Sequence, residues 1–174
     1  MMIKWLGAML ILIAGTSYGF IQAAQYARRP REIRHLIHAL NALETEIMYG
    51  VAPLPQAFSR VVTTVPKPIA DLFEQAASRM IEQTSELTGG QCWKEAIAAV
   101  WPYTAMKHAE RGSLLALTAT LGISDRMDQA KHIRLAMTQL QTEEAIAREE
   151  QSRYEKMWKS LGLLASALVV ILMY

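Results

Sequence analysis

Residues 31–47 read REIRHLIHALNALETEI, and the apolar side chains of this stretch recur three and four positions apart. Such a period places them along one face of an α-helix, with arginine, histidine and glutamate on the opposite face. Gly50, Pro53 and Pro55 follow and predict the end of this helix. The apolar face that needs burial is formed by Ile33, Leu36, Ile37, Leu40, Leu43 and Ile47.

The same helical period continues through the middle of the chain, and no stretch alternates as a β-strand would. Because the connections between the expected helices are short, neighbouring helices should run antiparallel. The sequence therefore predicts an all-α fold, a six-helix bundle. After the first helix, five more are expected over residues 56–63, 68–88, 91–108, 111–121 and 124–174.

Glycine, proline and capping residues mark the expected helix boundaries. Gly89 and Gly90 should end the third helix, and Pro102 should kink the fourth because it removes an internal hydrogen bond. Gly122 should follow the fifth helix, and Ser124 should cap the last one. Expected core positions on the later helices include Ile81, Ile133, Leu140, Tyr154 and Met157.

Two uncharged stretches at the ends of the chain predict membrane-spanning helices. Residues 5–27 would form a helix of about 34 Å, enough to cross a hydrocarbon core of ~30 Å. A cleaved signal peptide is the alternative, although the run is long and arginines follow it directly. Residues 160–174 would reach only about 22 Å, with Trp158 and Lys159 extending the segment to the headgroups. For this second stretch a buried core helix is the alternative.

Positive charges on the inner flanks of both segments predict the topology. Their position indicates that the bundle lies on the cytosolic side and both termini outside the cytosol. The predicted domains are a membrane helix over 1–27, a cytosolic bundle over 28–157 and a membrane helix over 158–174. The flanking charges are Arg28, Arg29, Arg31 and Arg34 after the first segment, and Arg153, Lys156 and Lys159 before the second.

Small residues recur four positions apart within both predicted spans. Gly15 and Gly19 make one such pair in the first span, and Gly162 and Ser166 make another in the second. This spacing lets helix backbones approach closely in lipid, so both pairs are candidate helix contacts. The same spacing also arises often by chance.

The sequence carries no pattern typical of catalysis, cofactor binding or a metal site. A net charge of +2 gives no reason to expect nucleic-acid binding, and the lone Cys92 cannot form an internal disulfide. His35 and His38 lack companion ligands, and the paired carboxylates at 143–144 and 149–150 are typical of a solvated face. We therefore expect no enzyme, no cofactor and no metal.

Two turns at helix ends are candidate partner contacts. Tyr49 and Leu54 flank the turn after the first helix, where inward packing of both side chains is favoured over presentation to a partner. Asp125, Arg126 and Asp128 open the last helix, where their charges could set register and association rate with a partner. The alternative is that these residues only cap the helix.

Five blocks are spread over the chain: KWLG (4–7), LETEIMYGVAPLPQAF (43–58), LGISDR (121–126), QAKHI (129–133) and YEKMWKSLG (154–162). Together they resemble the stage III sporulation protein AB family of endospore-forming bacteria. The turn after the first helix is also similar to the cytosolic domains of type II secretion F proteins, which usually carry two such domains and three spans. This chain has one domain between two predicted spans.

The resemblance implies an inner-membrane platform component of the channel complex that links mother cell and forespore during sporulation. It implies a location in the mother-cell membrane around the forespore. The implied partners are the stage III sporulation AA secretion-type ATPase and other membrane proteins of the complex, and a homo-oligomer stays open. Without the resemblance, a membrane-anchored regulatory or sensing scaffold fits the same pattern.

Overall fold

The computed structural model describes residues 27–50, 52–82 and 87–173, and it confirms the all-α prediction for them. The described ranges contain no strand. They contain two short 3-10 helices, Trp101–Tyr103 and Ala116–Ala119. The α-helices are α1 Arg28–Tyr49, α2 Leu54–Val62, α3 Ile69–Glu82, α4 Gly89–Val100, α5 His108–Leu115 and α6 Arg126–Met173.

The chain divides into two compact units. Residues 31–145 form the larger unit, called the bundle below. The smaller unit combines the chain up to residue 30 with residues 146–174. The long helix α6 contributes to both.

Three aromatic rings form the centre of the bundle. Phe58 of α2, Phe73 of α3 and Trp93 of α4 have ring centroids 5.4 to 5.5 Å apart, and all three side chains are buried. The indole N–H of Trp93 donates to the carbonyl oxygen of Leu114 at 3.0 Å. The ring cluster therefore buries a large apolar area while its polar atom keeps a partner. Close by in sequence, burial raises the pKa of the Cys92 thiol and keeps it protonated.

The predicted helix faces agree with the observed core, with one exception inside the bundle. Ile33, Leu36, Leu40 and Leu43 are fully buried on α1, as expected from their spacing. The contributions of α6 include Ile133 and Leu140, which are also fully buried. Ile81 was expected on the inner face of α3 but is 61% exposed, because the helix ends one residue later, beyond the packed part.

Two ion pairs join α1 to α6. Arg34 donates to Glu144 at 2.9 Å, and Arg134 donates to Glu44 at 2.6 Å. The two carboxylate side chains are only 13% exposed. The expectation that residue 144 lies on a solvated face is therefore wrong, because α1 packs over it.

The glycines at 89 and 90 begin a helix instead of ending one, which corrects the expected boundary. Thr88 caps α4 by accepting from the backbone N–H of Gln91 at 3.3 Å, and the Gln91 side chain accepts from the Thr88 N–H at 2.9 Å. This reciprocal pair is a capping box. A Cβ at Gly90 would overlap the carbonyl oxygen of Thr118, so only glycine allows this approach.

Pro102 ends a helix instead of kinking it. The α-helical part of the fourth helix stops at Val100, and Thr104 N–H then donates to Trp101 in a 3-10 turn. The next N–H, that of Ala105, donates to the carboxylate of Glu32 at 2.6 Å. The buried Glu32 thus gives the Ala105 N–H a partner outside the helix, and the helix does not resume after the proline.

The fifth helix is also shifted from its expected range of 111–121. It begins at His108 and ends at Leu115, and a 3-10 helix continues the chain to Ala119. Gly122 then adopts a φ of +76°, a left-handed conformation that glycine tolerates best. The expectation that Gly122 directly follows the fifth helix is wrong, because the α-helix ends at Leu115 and the 3-10 helix at Ala119.

In the smaller unit, Arg29 pairs with Glu150 at 2.8 Å. Tyr154 and Met157, expected on an inner stripe, are exposed there. None of the helices in the described part of the chain combines the length and the hydropathy that a bilayer crossing requires. The first predicted span, with Gly15 and Gly19, lies outside the described residues, whereas Gly162 and Ser166 fall within α6.

Candidate protein-binding site

The two turns that the sequence singles out lie next to each other in the bundle. Leu54, the first residue of α2, packs against the glycines at 89 and 122: a Cβ at Gly122 would be 3.3 Å from Leu54 Cδ2. Leu54 is half-buried, so part of its side chain packs inward. Inward packing is wrong for Tyr49, which is 82% exposed at the end of α1.

A cleft of about 190 Å³ lies between these turns. One side comes from the α1–α2 connection and the other from the first turn of α6, so the cleft joins segments about seventy residues apart. Of the predicted partner residues, Leu54 and Arg126 line it, and Tyr49, Asp125 and Asp128 do not. The described residues that line it are Ile47, Ala52, Pro53, Leu54, Ala57, Arg126 and Gln129.

The charged residues at the start of α6 divide into capping and exposed roles. Asp125 accepts from the backbone N–H of Asp128 at 2.8 Å, which makes Asp125 the N-cap. The prediction of Ser124 as the cap is wrong by one residue, since both types cap well. Asp128 lies 3.6 Å from His132, one turn along. Arg126 is exposed and makes no capping bond, so its charge is available at the cleft.

Gln129 is a cleft residue that the sequence reasoning missed. It is only 8% exposed, and its side-chain N–H donates to the carbonyl oxygen of Ser124 at 2.8 Å. Its Oε1 finds no hydrogen-bond donor among the described residues. A buried acceptor without a donor costs about 1–3 kcal/mol. The signal was present in the sequence: Gln129 lies four positions before Ile133, on the inner stripe of α6.

Large apolar side chains are exposed close in sequence to the cleft-lining residues. Tyr49 is 82% exposed, Ile123 63% and Met127 75%. Apolar groups left in water near a cleft are typical of surfaces that bind other proteins. The combination of cleft, apolar side chains and an exposed cation fits protein binding better than chemistry.

A larger cleft of about 660 Å³ lies along α3 and α4. It is lined by charged side chains such as Asp71, Glu74 and Arg79. Asp71 pairs with Lys67 at 3.0 Å, and Arg79 pairs with Glu95 at 2.9 Å. Because Asp71 and Arg79 already have partners, these two charges offer less for recognition than the exposed Arg126 at the cleft between the turns. Among the described residues, no three potential ligands cluster as a metal site would require.

A family model described as stage III sporulation protein AB matches residues 4–174. This chain belongs to the stage III sporulation protein AB family. The match includes both turns and all of α6. The family name is that of a sporulation protein, and no catalytic activity is part of it.

A curated relative and a solved structure support the same family assignment. The stage III sporulation protein AB of Bacillus subtilis (strain 168) is 41% identical over 172 residues, which is 99% of both chains. A solved structure of a stage III sporulation protein AB (SpoIIIAB) has a TM-score of 0.67 and 36% identity. It covers 72% of this chain and 98% of its own. The all-helical fold is thus that of the family.

Proposed function

We propose that this family member is a non-enzymatic platform component of the channel complex between mother cell and forespore. Residues 1–27 and 158–174 anchor it in the mother-cell membrane, and residues 28–157 face the cytosol. One observation carries the proposal. Two turns that lie in blocks carrying the family resemblance border a single cleft, although about seventy residues separate them in sequence.

The chemistry of this surface suits a platform. A platform has to be held from the cytosol by another protein, and the cleft offers apolar walls with an exposed arginine at one side. An exposed charge steers association and selects partners, while apolar contacts supply most of the affinity. The partner that the family resemblance implies is the stage III sporulation AA secretion-type ATPase.

A complementation experiment tests the function directly. The gene for this chain replaces that of the Bacillus subtilis relative, and heat-resistant spores are counted. With 41% identity over nearly the whole length, we expect partial or full rescue. A level of spores equal to that of the deletion strain, with the protein present in the membrane fraction, would contradict the proposal.

A charge reversal tests whether the cleft is the contact. Arg126→Glu should abolish co-purification of the ATPase with the detergent-extracted chain and reduce spore counts. The matched control is Lys131→Glu, an equal change at an exposed position one turn along α6. Equal ATPase recovery with Arg126→Glu and with the native chain would remove the cleft from the interface. Failure of the native chain to recover any ATPase would favour the scaffold alternative.

Reporter fusions test the proposed anchoring. Fusions placed within residues 35–150 should behave as cytosolic, because positive charges flank both predicted spans on that side. Activity typical of an exported reporter, or a mature N-terminus near residue 25, would rule out the two-anchor arrangement.

A further inference from the structure

The larger cleft, which lies along α3 and α4, carries an excess of negative charge. Asp71, Glu74 and Glu82 line it on α3, and Arg79 is the cation among the lining residues that the structure describes. Three carboxylates against one guanidinium leave this lining with a net charge of −2. Such a charge repels nucleic acids and anionic lipid surfaces and attracts cationic groups. Charge complementarity therefore selects a cationic occupant.

Two of the three carboxylates have no close partner within the described part of the chain. The Asp71 carboxylate pairs with Lys67 at 3.0 Å, and the Arg79 guanidinium is also paired. Glu74 and Glu82 are exposed, and neither side chain makes a hydrogen bond or a close ion pair with a described residue. The uncompensated charge lies at these two glutamates, which are about 12 Å apart along the helix axis at ~1.5 Å per residue.

The pKa of Lys67 reports the negative field at one end of this cleft. It is raised, mainly by the hydrogen bond to Asp71, and the charges of Asp71 and Glu74 raise it further. Both acids therefore stabilise a cation close to them. Because Lys67 is held by Asp71, the carboxylate of Glu74 remains open to an added cation.

An exposed aromatic ring lies at the same end of this cleft. Tyr103 follows α4, lines the cleft and is 74% exposed. Six residues connect α3 to α4, so the two helices run antiparallel. From the ion pair between Arg79 and Glu95, eight positions back along α3 lead to Asp71, and eight positions forward lead to Tyr103. The face of a tyrosine ring attracts a guanidinium, whose planar shape also stacks on it.

We propose that the cleft along α3 and α4 binds a basic segment of a partner protein, with an arginine at Tyr103 and Glu74 and a second cationic side chain at Glu82. The guanidinium stacks on the ring and donates N–H groups to the carboxylate. An extended segment places side chains four positions apart on one side, about 13 Å from each other, which matches the separation of the two glutamates. The inference goes beyond the proposed function, because it concerns a cleft that the ATPase contact does not use.

Short peptides test the sign of the charge and the type of cation. The probe is a blocked heptapeptide with arginines at positions 2 and 6 and serines elsewhere, and matched probes carry two lysines or two glutamates. Binding to the full chain in neutral detergent micelles is measured by titration calorimetry. The arginine peptide should bind about threefold more tightly than the lysine peptide, and the glutamate peptide should not bind. No binding of the arginine peptide at millimolar concentration overturns the proposal, as does equal binding of the glutamate peptide.

The two glutamates are tested by neutral substitutions of the same shape. Glu74→Gln and Glu82→Gln should each weaken binding of the arginine peptide by roughly threefold or more, because each removes one charged acceptor. The matched control is Glu149→Gln, an equal change at an exposed glutamate outside the cleft, which should leave binding unchanged. All three variants should keep the native melting temperature, since the side chains are exposed. Native affinity in both cleft variants would overturn the proposal.

The ring is tested by the preference for arginine over lysine. Tyr103→Leu should bring this preference to about one, whereas Tyr103→Phe should keep it, because the ring face binds the guanidinium. Tyr49→Leu removes another exposed tyrosine and should leave the preference unchanged. Spermine, a small cation without a guanidinium, is the competing occupant. If spermine binds as tightly as the arginine peptide and Tyr103→Leu weakens neither, the cleft binds cations by charge alone and the proposal is overturned.

Discussion

The aromatic centre of the bundle and the lining of the cleft between the turns each include a side chain with a buried polar atom. Among the described residues, only the one in the centre has a hydrogen-bond partner. In the centre, Trp93 fills a ring-sized space beside Phe58 and Phe73, and its N–H reaches the Leu114 carbonyl at 3.0 Å. At the cleft, the described residues leave an open space of about 190 Å³, and Gln129 Oε1 has no donor among them. The core therefore satisfies its buried polar atom, whereas the first turn of α6 keeps a buried acceptor without a donor among the described residues.

The largest effect should come from emptying the aromatic centre. Trp93→Ala removes the ring that contacts two phenylalanines and leaves the Leu114 carbonyl without its donor. We expect a loss of about 3–5 kcal/mol in the free energy of unfolding. Urea unfolding of the full chain in detergent, followed by circular dichroism, measures it. A loss below about 1 kcal/mol would mean that the ring cluster is not the centre of the core.

The next effect contrasts a close-packed contact with the open cleft. Gly90→Ala places a Cβ against the Thr118 carbonyl, so a backbone shift and a cost of about 1–3 kcal/mol are expected. Ala52→Leu adds more atoms, but it does so at a half-buried position that lines the cleft. Its expected effect is within about 0.5 kcal/mol. If Ala52→Leu destabilised as much as Gly90→Ala, the cleft would have no free volume.

A smaller effect concerns the cap at the edge of the cleft. Asp125→Ala should cost about 0.5–2 kcal/mol, because the Asp128 N–H loses its acceptor. Ser124→Ala is the matched control and should change stability less, since no capping bond of its hydroxyl is involved. The reverse order in thermal unfolding would assign the cap to Ser124.

The last comparison concerns two buried polar groups, at Trp93 and Gln129. Trp93→Phe keeps a ring but removes a satisfied donor, so a loss of about 1–3 kcal/mol is expected. Gln129→Met removes an acceptor that has no donor, along with one bond to Ser124, and should change stability by less than about 1 kcal/mol. A larger loss for Gln129→Met than for Trp93→Phe would show that Gln129 is retained for folding.

The helices themselves could be read from the sequence because their apolar period is local. Leu36 and Leu40 are buried where the spacing predicts, and the left-handed Gly122 follows from glycine's lack of a Cβ. The prolines and glycines were harder, since the same residue can end one helix or begin another. Gly90 lies in the first turn of α4, where Thr118 leaves no room for a Cβ, and that contact comes from a segment 28 positions away.

The candidate site was predictable only in part. Each turn was recognisable, but their convergence on one cleft depends on the packing of Leu54 against Gly89 and Gly122. The end of α4 at Pro102 likewise depends on a bond from Ala105 to Glu32, more than seventy positions earlier. Gln129 is a polar residue at a position where the helical period predicts an apolar one. Periodicity alone does not predict that such a residue is buried.

The ion pairs between α1 and α6 favour one relative direction of these two helices. In each helix an arginine precedes a glutamate by ten positions. The antiparallel arrangement therefore places Arg34 opposite Glu144 and Glu44 opposite Arg134. If α6 ran parallel to α1, Arg134 would lie opposite Arg34 and Glu144 opposite Glu44. Each pair is worth little as an exposed contact, yet the inverted arrangement would replace two attractions by two repulsions. Apolar stripes can pack with two helices parallel or antiparallel, and these four charges favour the antiparallel arrangement.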